Sequence, residues 1–83
     1  MTVITTSVFN VVRRFPDRKD AVKRLFNKSE TFQTVCEDYR KCAVALEHWK
    51  HSTSEEAPIR RAEYAALLQD LEGEILQSLD EFR

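Results

Sequence analysis

Four side chains near the middle of this chain have the chemistry to hold a metal ion: Cys36, Cys42, His48 and His51. All four fall in one stretch that reads as a continuous helix, and a helix turns by about 100° per residue. Cys36 and Cys42 then point about 120° apart, as do Cys42 and His48, so this helix alone cannot converge four donors on one ion. A disulfide fails for a related reason. Six residues of helix, at about 1.5 Å each, hold the two cysteine Cα atoms roughly 9 Å apart, beyond the span of a disulfide. Both cysteines read as reduced thiols, with Cys42 a small core residue and Cys36 its partly buried neighbour. The histidines read as polar residues near a helix C-terminus, where positive charge is favoured. No metal and no cofactor is expected.

Carboxylates are the next candidates, since paired acids can do general acid and base work. Glu63, Asp70, Glu74, Asp80 and Glu81 lie on or beside a solvated helix face with nothing to desolvate them, so the pattern is that of a wet surface. The sequence carries no glycine-rich phosphate loop, nucleophile elbow or His-Glu zinc pattern. An enzyme is not expected.

Cations are distributed unevenly. From Met1 to Lys28 seven basic residues face two acidic ones, a net +5, while the rest of the chain has six basic against twelve acidic residues, a net −6. Arg13, Arg14, Arg18, Lys19, Lys23 and Arg24 could therefore contact phosphates or an anionic surface. The competing reading is that they fold back on the acidic part, within the chain or across a dimer. That reading is preferred here, and nucleic acid is not the expected partner.

Helices must position all of these groups. One glycine, two prolines and 33% charged residues describe an all-α protein and exclude an all-β one. Ser7 is expected to cap a short helix whose Val8, Val11, Val12 and Phe15 share a face, ending at Pro16 because the residue before proline leaves the α region. A second short helix starts at Pro16 and Asp17, turns Val22, Leu25 and Phe26 inward, and stops near Lys28. Ser29 caps a long helix along which Phe32, Val35, Tyr39, Cys42, Leu46 and Trp49 recur at three- and four-residue steps. The polar run Ser52 to Glu56 breaks it near His51, and Pro58 suits the first turn of a second long helix carrying Tyr64, Leu68, Leu71, Ile75 and Phe82. So short a connection predicts a long antiparallel hairpin, with one or two short N-terminal helices packed against it.

Residues 1–83 thus read as a single helical domain, basic over 1–28 and acidic over 29–83. A chain of 83 residues is short for a self-sufficient core, so a homodimer is expected. Val8, Val12 and Phe15 are candidates for that contact. Ala62, Ala66 and Gly73 are others, because small side chains let a helix approach closely, either the N-terminal helix or a second subunit. Gly73 in mid-helix costs about 1 kcal/mol relative to alanine, a cost that close approach could offset. Met1 to Phe9 lacks the pattern of a signal peptide and no stretch approaches the roughly 20 apolar residues of a membrane span. The cytoplasm is the expected location.

Several of these residues resemble the YdcH-like family of small bacterial proteins. The likeness begins at Phe15, Pro16 and Asp17, continues through Ser29 to Phe32, and closes on Leu71, Glu74 and Ile75. Glu72 and Gly73 stand where that family usually has Lys-Asp. The resemblance implies a cytosolic bacterial helical hairpin and brings no activity with it. Together these readings predict a non-enzymatic protein interaction module. The alternative is a nucleic-acid or anionic-surface binder acting through the basic segment.

Overall fold

A computed structural model describes residues 2–82, with side chains from Ser7 onward. Met1 and Arg83 lie outside the described residues, as do most side chains of the Met1–Phe9 stretch read for a signal peptide. The described fold is all-α, with α1 over Thr2–Arg14, α2 over Lys19–Lys28, α3 over Glu30–Lys50 and α4 over Ala57–Glu81. A 3-10 turn at Pro16–Arg18 leads into α2.

The boundaries follow local chemistry. Pro16 drives Phe15 out of the helical region, to φ −127° and ψ 65°, and α1 ends there. Arg13 and Arg14 fall in its last turn, where cations complement the dipole. Ser29 serves two helices at once. Its N–H donates to the Leu25 carbonyl at 2.9 Å to close α2, and its Oγ accepts from the Phe32 N–H at 3.0 Å to open α3. Gln33 Nε2 donates to the Phe26 carbonyl at 2.7 Å, satisfying another acceptor left over at the end of α2. Between α3 and α4, the Ser52 and Ser54 hydroxyls accept from the Ser54 and Glu56 N–H groups at 3.1 and 3.2 Å.

One expected boundary is wrong. Ser7 does not cap α1, which already runs from Thr2; its side chain is buried and its Oγ donates to Glu37 Oε1. Ser7, Val11 and Phe15 form one row at four-residue spacing, all buried, so the stripe on α1 extends back to the serine. Packing against α3 outweighs the poor helix propensity of this valine- and threonine-rich segment.

The main interface joins α3 and α4; α1 lies on α3, and α2 touches α1, α3 and α4. Across the first of these, the Arg61 guanidinium reaches the Trp49 carbonyl at 3.5 Å, the Cys42 thiol donates to the Tyr64 carbonyl at 3.3 Å, and the Tyr39 hydroxyl donates to Glu72 at 2.8 Å. Phe32, Tyr39 and Cys42 are buried as the spacing on α3 predicts. Cys36 was expected to be partly buried and is 0% exposed, because α1 covers its side of α3.

Burial is uneven along the molecule, which measures 45 × 26 × 21 Å. Side-chain contacts from α1, the 3-10 turn and α2 fall toward one end of the long helices, as in Ser7 to Glu37, Arg14 to Glu72, Arg18 to Asp80 and Arg24 to Phe82. There Ile75 and Leu79 are buried. Toward the 51–56 connection, Leu46, Trp49, Tyr64 and Leu68 are only half-buried, and Val44, Ile59 and Leu67 are exposed.

Candidate functional site

Two groups of residues that are far apart in sequence meet between α1 and α2. Val8 and Val12 of α1 and Phe26 of α2 form the apolar lining of a groove of about 540 Å³, and Lys19 and Lys23 stand along it. The arrangement follows from helix periodicity. Val8 and Val12 are one turn apart on α1, and Lys19, Lys23 and Phe26 step by four and three on α2, so each set shares a face. Phe9 also lines the groove and is 57% exposed, with the Arg13 guanidinium over its ring at 5.7 Å. Lys19 and Lys23 form no ion pair with any described residue, and among the described residues they are the only charged ones lining the groove.

The arginines of the basic segment are already engaged. Arg14 makes a forked contact with Glu72, Nε to Oε2 at 2.9 Å and Nη2 to Oε1 at 3.1 Å, and Arg18 reaches Asp80 at 2.7 Å. Arg24 lies 5.8 Å from the centre of the Phe82 ring. The hydrogen bond to Glu72, then its charge, raises the Arg14 pKa further above its ordinary value. Glu72 also accepts from Tyr39, whose phenol burial pushes up to about 12, with the Glu72 hydrogen bond adding to the effect. A second polar cluster joins Ser7, Glu37 and Arg40; the hydrogen bond from Arg40, then that from Ser7, lowers the Glu37 pKa.

The association candidates separate. Phe15 is 9% exposed and belongs to the core, leaving Val8 and Val12 as the half-buried members of that set. Ala62, Ala66 and Gly73 are exposed on α4, and a Cβ built at Gly73 meets nothing within 4 Å. The N-terminal helix therefore does not lie on this stripe; it lies on α3.

The four metal-capable residues also separate. Cys36 and Cys42 are buried, burial pushing the Cys36 thiol up to about 12, while His48 and His51 are exposed near the end of α3, where His51 contacts Glu47 at 2.9 Å. Among the described residues no group of three or more His, Cys, Asp or Glu side chains is placed to hold an ion. The Arg14–Glu72–Tyr39 cluster escapes sequence reasoning, because no spacing rule links positions 58 residues apart. Ser7 is different: its place in the row with Val11 and Phe15 was a usable signal.

No family model, curated protein or solved structure matches this chain.

Proposed function

We propose that this chain is a non-enzymatic protein interaction module that self-associates, with the groove between α1 and α2 as its binding face. The observation that carries this reading is the groove itself: an apolar floor, an exposed phenylalanine at its side and two lysines that pair with no described residue. Apolar surface beside unpaired charge is what a protein partner of opposite charge covers. The architecture we propose is an antiparallel hairpin of α3 and α4 with α1 and α2 laid against one end. It is supported by the pairings of Trp49 with Arg61, Cys42 with Tyr64 and Tyr39 with Glu72, in which one number falls as the other rises. The resemblance to the YdcH-like family favours a bacterial, cytoplasmic setting for such a module.

Nucleic-acid or anionic-surface binding through the basic segment draws less support. Arg14 and Arg18 are bound to carboxylates, Arg13 and Arg24 lie over aromatic rings, and the part of the chain beyond Lys28 carries −6, which repels a polyanion. Sedimentation equilibrium from micromolar to millimolar concentration tests the proposal, together with the concentration dependence of the melting temperature. Self-association with a rising melting temperature is expected. A monomer over the whole range overturns it.

A further inference from the structure

We infer that the groove between α1 and α2 receives the exposed flank of α4 from a second copy of this chain, an inference that rests on the self-association proposed above. Opposite charge is one ground for it. Among the described residues no side-chain partner meets Lys19 or Lys23, and none meets Asp70 or Glu74, which are exposed on α4. Spacing is the other. Each pair is four residues apart on its helix, so both pairs are separated by about 6 Å along their axes. The match extends one step further, because Phe26 follows Lys23 by three residues and Leu67 precedes Asp70 by three.

An α4 laid antiparallel to α2 therefore sets Glu74 beside Lys19, Asp70 beside Lys23 and Leu67 over Phe26. At about 100° per residue, Leu67, Asp70 and Glu74 lie within roughly 60° of one another around α4, on a single flank. Leu67 is 46% exposed, a large apolar side chain that its own chain covers only in part. Ala66 and Gly73 border the same flank, both exposed, and their small size allows the two helices to approach closely. The groove and the flank are different surfaces: exchanged reciprocally about a two-fold axis they close an isologous dimer, and repeated head to tail they give a heterologous ring or chain.

Reciprocal charge reversal tests the inference. One variant carries Lys19→Glu and Lys23→Glu, the other Asp70→Lys and Glu74→Lys; all four positions are exposed, and far-UV circular dichroism checks that both variants keep the helical fold. In sedimentation velocity each variant alone is expected to lose self-association at least tenfold in concentration. An equimolar mixture is expected to recover it, because each groove then meets a flank of opposite sign. Wild-type protein that associates while both reversals associate equally well overturns this inference and leaves the self-association reading standing. The same holds for folded variants whose mixture stays dissociated. A wild-type monomer at millimolar concentration overturns both, and Lys19- and Lys23-dependent binding of duplex DNA by that monomer would assign the groove to phosphate instead.

Discussion

Cys36 and Tyr39 keep their protons in the fold under conditions where the unfolded chain gives them up. Burial raises the Cys36 thiol from 9.0 to about 12, and burial followed by the Glu72 hydrogen bond raises the Tyr39 phenol from 10.0 to about 12. Between those limits the native state binds more protons than the unfolded one, so stability is intact below pH 9 and falls as pH rises toward 12. Urea melts at pH 8, 9, 10 and 11 should show a falling midpoint, and Cys36→Ala combined with Tyr39→Phe should flatten that slope. An unchanged slope would mean that neither group is held protonated by the fold. Gly73 gives an independent residue-level test. Its φ is not positive and a Cβ there meets nothing, so Gly73→Ala should stabilise the chain by about 0.5 to 1 kcal/mol at concentrations where it is monomeric. Thermal melts of dilute protein measure it, and a destabilised variant would place an unseen neighbour over that position.

At the scale of the elements, equal spacing does not mean equal burial. Leu46 and Leu71 occupy equivalent places in their helical patterns, yet Leu71 is 7% exposed while Leu46 is half-buried. Leu71→Ala should cost about 2 to 5 kcal/mol and Leu46→Ala clearly less, as urea titrations can show. A larger loss at Leu46 would put the core at the other end of the long helices. The same contrast explains what the sequence could reveal. Pro16, Ser29 and the 51–56 run set element boundaries by local chemistry, and those boundaries were legible. Periodicity identified Phe32, Tyr39 and Cys42 as core, but burial of Cys36 depends on where α1 docks, which no pattern within α3 encodes. Val8 and Val12 on one helix and Lys19 and Lys23 on the next were each recognisable as unusual. Their meeting in one groove depends on the angle between α1 and α2, and the chain spells that out only when folded.

Across the whole molecule, charge separation in sequence becomes charge contact in space. Arg14 and Arg18 tie the basic segment to Glu72 and Asp80, but both arginines are substantially exposed, so solvent screens each pair and neither should contribute much to stability. Replacing both arginines with glutamine should lower the melting temperature slightly in dilute buffer, with the difference shrinking at 1 M salt. A loss independent of salt would mean that their alkyl stems, not their charges, matter. The uneven cover of the long helices has a different consequence. With α1 and α2 clamped over one end only, the far end has few buried side chains to hold its backbone hydrogen bonds closed. Amide exchange should therefore be graded along α3 and α4: slowest around Cys36 to Cys42 and Leu71 to Leu79, and fastest from Leu46 through Ala62. The chain should breathe from its loop, opening like a clasp hinged at the end where all four helices meet.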